Sequence, residues 1–359
     1  MSDATDRSRR VSDATGSSPR VSDAAGSETT RPEHEDRVAG ALVGMAAGDA
    51  LGAGYEFAPP PRGEVAMIGG GLGDFAPGEW TDDTSMAVCI AEVTATGRID
   101  LEAVGARFLD WLRSGPADIG ISTAAVLRAA DAARASSADT AEEHPVGAAA
   151  ALATAAARYL ADHPRGGAGN GALMRTAPVA LLHLGDDAGL ATDARAVAEL
   201  THADPLAGDS CVLWCVAIDR AVREGRLDGV HDALAQLPAP RRARWAAALA
   251  DAEEQPLGTF TANGFTVTAL QAAYAAVVQT PVPAADPAGH LEAALTAAVR
   301  IGGDTDTVAA IAGMLLGARW GATAVPSAWY RMLHGWPGLR AEDLEQLALR
   351  TAFSPPGTG

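Results

Sequence analysis

The chain has 359 residues, 48% apolar and 20% charged, which suits a globular protein with a large core. Its formal net charge is −18, from 45 acidic and 27 basic residues, and every basic residue is arginine. The absence of lysine excludes Schiff-base chemistry and a P-loop lysine. So acidic a chain also lacks the clustered positive charge that non-specific nucleic-acid binding requires, which leaves a small ligand or a protein modification as the expected partner.

In chain order, residues 1–36 come first, with "SDAT" at 2 and 12 and "SDAA" at 22. They are polar and aperiodic and read as a disordered tail, ahead of a domain over 37–353 and a flexible end over 354–359. The start, "MSDATDRSRR", has no apolar signal core, and no unbroken apolar run reaches the roughly 18 residues that span a bilayer. A cytoplasmic monomer without a membrane partner is therefore expected. From Arg37 the pattern turns helical, and "VAGALVGMAAGDALGA" spaces Gly40, Gly44, Gly48 and Gly52 four apart. Glycine weakens a helix, so such a stripe points to close backbone packing against another element.

Further helices are predicted near 84–97, 101–113, 122–135, 147–161, 192–200, 206–223, 241–253, 265–278, 290–300, 307–319 and 342–351. Linkers rich in Pro, Gly or polar residues fall at 58–79, 136–145, 163–171 and 280–289. Strand-like alternation is nearly absent. The expectation is one all-α domain whose long loops meet at a common site. Cys89, Cys211 and Cys215 lie in apolar helical stretches and read as buried free thiols.

Two loop-to-helix junctions carry paired aspartates: Asp82 and Asp83 in "WTDDTSMA", Asp304 and Asp306 in "GGDTDTVAA". Helix capping explains one such cluster as well as any function does. A cap needs a single side chain, however, whereas these two clusters supply several carboxylate and hydroxyl oxygens each. Oxygen-rich sites suit hard cations such as Mg²⁺ or Mn²⁺, which would offset the repulsion between the carboxylates. Asp118 in "GPADIG", Asn170 in "RGGAGNGALMRTAP" and His202 in "THADPLA" are weaker signals, each equally readable as a turn, cap or packed residue.

Taken in order, "GALVGMAAGDALGAGYEF", "WTDDTSMA", "SGPADIGIST", "GNGALMRTAPVAL", "THADPLA" and "GGDTDTVAAIAGMLLGA" resemble the ADP-ribosylglycohydrolases of the dinitrogenase-reductase-activating type, over about residues 37–320. The resemblance implies a compact all-α fold with a binuclear Mg²⁺ or Mn²⁺ centre in a cleft for ADP-ribose. By the same resemblance Thr81, Asp82, Asp83, Asp304, Asp306 and Thr307 would ligate the two divalent cations. Glu56 and Asp118 match catalytic carboxylates, Asn170 and Gly171 a ligand-binding loop, and His202 a residue lining the substrate site. Gly115 and Gly120 would bring backbone toward the diphosphate. The match is loose over "NGFTVTALQAAYAAV", where Phe265 is offered as an adenine-stacking residue. The implied activity is removal of ADP-ribose from a modified protein side chain, most directly arginine, with free ADP-ribose as product. An O-linked serine or polymer substrate, a non-catalytic ADP-ribose binder and a metal-dependent phosphohydrolase are the rivals.

Overall fold

The computed structural model describes residues 31–139, 146–164 and 166–355. The predicted tail up to residue 30 and the last four residues of the chain lie outside them. Among the described residues the first helices are α1 (Glu33–Gly52), α2 (Asp82–Thr94), α3 (Leu101–Arg113), α4 (Ile121–Asp139) and α5 (Ala148–Asp162). Then come α6 (Ala177–Leu182), α7 (Asp187–Glu199), α8 (Pro205–Glu224), α9 (Ala239–Glu254) and α10 (Thr266–Gln279). The last are α11 (His290–Ile301), α12 (Thr305–Trp320), α13 (Ser327–Met332) and α14 (Ala341–Phe353). Strand is confined to an antiparallel pair, β1 (His334–Gly335) and β2 (Leu339–Arg340). The all-α expectation holds.

The glycine stripe of α1 lies against α12. A Cβ built on Gly40 would stand 2.2 Å from the Gly317 carbonyl oxygen, and one on Gly44 2.5 Å from that of Gly313. On Gly48 it would stand 2.0 Å from the Ala309 oxygen, and on Gly52 2.5 Å from the Asp306 Cα. Partner numbers fall as the glycine numbers rise, so the helices run antiparallel with their backbones touching. Around this pair pack α8, α10, α11 and α14. Trp214 on α8 donates its indole N–H to the Ile311 carbonyl at 2.9 Å, pinning α8 to α12. The three cysteines are free and buried. Glu33–Tyr55 is long and apolar enough to cross a membrane, but 89% of its apolar window is buried, so its hydrophobicity serves the core.

Three differences from the sequence reading have local causes. Helix α1 begins at Glu33, ahead of the helical pattern read from Arg37. Asp36 is buried there and accepts bonds from the Thr323 backbone N–H and hydroxyl, at 3.2 and 2.6 Å. α7 begins five residues before its predicted start because Asp186 caps it through the Gly189 N–H. α6 goes unpredicted because Pro178 reads as a breaker, yet it sits in the first turn, where its missing N–H costs nothing.

Substituting Gly48→Ala should destabilise the protein. The roughly 1 kcal/mol gained in helix propensity is outweighed by overpacking of about 1–3 kcal/mol against the Ala309 backbone. Gly258, with open space around it, is the control. Urea denaturation should place Gly48→Ala below wild type and Gly258→Ala at or above it; equal midpoints would contradict the close-packing account.

Candidate metal centre and substrate cavity

The α1–α12 contact brings three chain segments to one point. Asp49, one turn before the end of α1, is fully buried. It accepts from the Thr81 N–H at 2.9 Å, the Thr84 N–H at 3.0 Å and the Thr84 hydroxyl at 2.7 Å. Asp49 therefore caps α2 from another helix, since Thr81 at the N-cap makes no side-chain cap of its own. Asp304, at the N-cap of α12, makes none either. Capping of their own helices does not account for the side-chain oxygens of Thr81 and Asp304.

The carboxylates gather instead. Oxygens of Asp49, Asp83 and Asp306 lie within 4.8 Å of one another, and so do oxygens of Glu56, Asp304 and Asp306. The two trios share Asp306. Thr81 donates its hydroxyl to Asp83 Oδ2 at 3.0 Å, whereas Asp83 Oδ1 is buried with no hydrogen-bond partner. A buried, orphaned carboxylate oxygen inside an all-oxygen donor set fits a hard divalent cation. Both helix N-termini that meet here, of α2 and α12, also favour negative charge.

Glu56, Asp304 and Asp306 of this cluster line a cavity of about 430 Å³ together with Asp82 and Asp118, and among the described residues no arginine or histidine lines it. That volume suits a small-molecule ligand. Thr307, Gly120, Asn170 and Gly171 also line it. Asn170 donates to Asp304 at 2.7 Å and to the Asn263 carbonyl at 3.0 Å, so it orients a carboxylate as well as facing the cavity. Asp118 accepts from the Ile119 N–H at 2.8 Å. The Gly120 N–H is taken by Asp82 at 3.3 Å, which directs it to a carboxylate rather than a diphosphate.

Several expected residues stand elsewhere. Gly115 and Thr81 line a neighbouring cavity, not this one. Phe265 does not line the cavity, although Gly264 beside it does; the aromatic residues on the wall are Phe57 and Tyr159. His202 is also off the wall, buried beneath Gly169 and Gly171. There Arg175 donates to the Thr201 hydroxyl at 2.6 Å, Thr201 bonds His202 Nδ1 at 2.8 Å, and His202 Nε2 lies 3.2 Å from the Ser122 hydroxyl. Burial, then the Arg175 charge, pushes His202 down to about 3, so the imidazole is neutral. Thr201 and Ser122 thus hydrogen-bond the two ring nitrogens of the neutral imidazole, and Ser122 also lines the cavity.

Sequence reasoning missed Asp49, Asn263 and Arg175. Asp49 had a signal, a lone carboxylate inside the apolar glycine-spaced helix. Asn263 accepts from the Asp304 N–H at 2.9 Å and donates to the Gly302 carbonyl at 2.9 Å, fixing the turn before α12. Arg175 is fully buried over the Phe108 ring at 4.5 Å, and burial lowers it to about 10. Nothing in "GALMRTAP" distinguishes it from a surface arginine.

Burial is the first cause raising every carboxyl of the centre. Neighbouring acids add to it, taking Glu56 to about 8, Asp82 to about 7, and Asp83 and Asp306 well above the ordinary range. An acid raised on folding lends stability at low pH and removes it as pH climbs through its folded value. Neutral, buried His202 acts in the opposite sense, but only below its unfolded value near 6.5. Between pH 7 and 8.5, then, the melting temperature in chelator should fall. Mg²⁺ or Mn²⁺ should restore it, by about 2.7 kcal/mol at a hundredfold excess over Kd. A chelated protein whose melting temperature is flat or rising over that range would contradict the centre's electrostatics.

The ADP-ribosylglycohydrolase family model matches residues 30–357. The ADP-ribosyl-[dinitrogen reductase] glycohydrolase of Rhodospirillum rubrum is 30% identical over 321 residues, 85% of this chain and 92% of that protein. The ADP-ribosylarginine hydrolase Tri1 of Serratia proteamaculans (strain 568) is 28% identical over 336 residues, 90% of this chain and 82% of that protein. A solved ADP-ribosylglycohydrolase-related protein complex superposes with a TM-score of 0.66 at 31% identity, covering 89% of this chain and 98% of that one. With sequence and fold agreeing over nearly its whole described length, the chain belongs to the ADP-ribosylglycohydrolase family.

Proposed function

We propose that the protein hydrolyses the N-glycosidic bond joining ADP-ribose to an arginine side chain of a modified protein, with two divalent cations, Mg²⁺ or Mn²⁺, in the acidic centre. The observation that carries this reading is the pair of carboxylate trios sharing Asp306 beside a ligand-sized cavity. The activities named for the two relatives support the linkage. Asp49, Asp83 and Asp306 would hold one cation and Glu56, Asp304 and Asp306 the other, with the Thr307 hydroxyl beside them. When bound, such ions supply the positive charge that holds ribose hydroxyls in a fixed orientation.

The chain's own groups do the rest. Asn170 fixes the Asp304 carboxylate, and Ser122 offers its hydroxyl to the ligand. Cleavage of the C–N bond develops positive charge on the ribose ring. Asp118 stabilises that charge and takes a proton from the attacking water. The water's oxygen bonds to the anomeric carbon, and the departing guanidine nitrogen gains a proton, giving ADP-ribose and arginine. Glu56, a member of one trio, serves the metal first.

Two variants separate these roles. Asp118→Ala should lower kcat on arginine-linked substrate by about 10²–10⁴ while keeping ADP-ribose and Mn²⁺ binding in calorimetry. Glu56→Ala and Asp306→Asn should weaken Mn²⁺ binding and turnover together, with helical circular dichroism intact. Normal turnover by Asp118→Ala would transfer the catalytic role to Glu56. Release of ADP-ribose from serine-linked but not arginine-linked peptides would overturn the linkage.

A further inference from the structure

A second cavity, of about 240 Å³, lies behind the carboxylates. Asp82 and Asp118 line both cavities, so the two meet where the reaction would occur. The rest of its lining includes Trp80, Trp111, Trp336 and Glu79 among small and hydroxyl-bearing residues. Trp80 and Trp111 are almost wholly buried, and the Trp80 indole N–H donates to the Trp336 carbonyl at 3.3 Å, which holds the wall in place. Glu79 is held by the Ala76 N–H at 2.8 Å. Among the described residues no arginine or histidine lines this space. The nearby cation, Arg107, lies 5.5 Å from the Trp336 ring and is paired with Glu92.

Indole and carboxylate side chains in one lining suit a planar, weakly hydrated cation. The volume falls below the ~300 Å³ lower end of small-molecule sites, too tight for a dinucleotide-sized ligand but adequate for one side chain. We infer that this cavity is the leaving-group subsite, which takes the guanidinium of the modified arginine while the larger cavity takes the ADP-ribosyl part. The inference rests on the arginine-linkage reading above. It makes selectivity a property of this cavity, because a serine-linked substrate presents no planar cation to the indoles. It also puts Asp118 and Asp82 at the junction, beside the scissile bond and the departing nitrogen together.

Agmatine, a guanidinium without an α-carboxylate, is the probe, titrated into the full chain by calorimetry and by tryptophan fluorescence. Wild type should bind it. Glu79→Gln, which keeps an acceptor for Ala76, and Trp336→Ala should each weaken binding by about tenfold or more, with ADP-ribose affinity unchanged. The same variants should lose at least about tenfold in kcat/KM on arginine-linked peptide. If wild type cleaves that peptide but agmatine binds neither it nor the variants differently, the subsite is overturned and the proposed activity stands. If wild type does not cleave it, yet agmatine binding is lost in both variants, the activity fails and the guanidinium site survives. Loss of ADP-ribose binding in step with agmatine would also overturn the subsite, since the damage would then be general.

Discussion

The contact of α1 with α12, glycine backbone against glycine backbone, is the constraint on which the site depends. Side chains at Gly40, Gly44, Gly48 or Gly317 would hold the helices apart. Asp49 would then lose its place beside Asp306, and α2 would lose the carboxylate that caps it. The contact ends at Gly52 against Asp306, so this backbone-to-backbone packing terminates at the carboxylate cluster. Dispersion and backbone complementarity there are set against strong repulsion among buried acids.

That repulsion explains the layered electrostatics. The innermost acids are desolvated, lack facing cations and rise well above ordinary carboxyl values. Behind the wall, the buried cation Arg175 makes no carboxylate pair among the described residues; it is held by Thr201, the Met86 sulfur and the Phe108 ring. Its charge helps keep His202 neutral, and Thr201 and Ser122 hydrogen-bond the two ring nitrogens, which ties Arg175 to a residue on the cavity wall.

The two cavities divide recognition from chemistry. The larger is rich in glycine and backbone near Gly169–Gly171, which allows close approach of a polar ligand. The smaller is walled by indoles and acids. Among the described residues they share only Asp82 and Asp118, so most of one lining can change without touching the other.

The sequence by itself determined the helical class, the glycine stripe's need for a backbone partner and the two oxygen-rich clusters, because each is a local pattern of spacing or composition. It also pointed to the loops of Asp118 and Asn170 through their glycines. Only the tertiary structure decided which partner the stripe meets and that Asp49 joins the centre, since a lone aspartate in an apolar helix does not reveal what lies across from it. His202 moved from the cavity wall to the layer beneath, and Gly115 to a different cavity, for the same reason. Residue type and neighbours along the chain fix what a side chain can do chemically; which surface it reaches is set by packing between segments more than a hundred residues apart, such as Asp49 and Asp306.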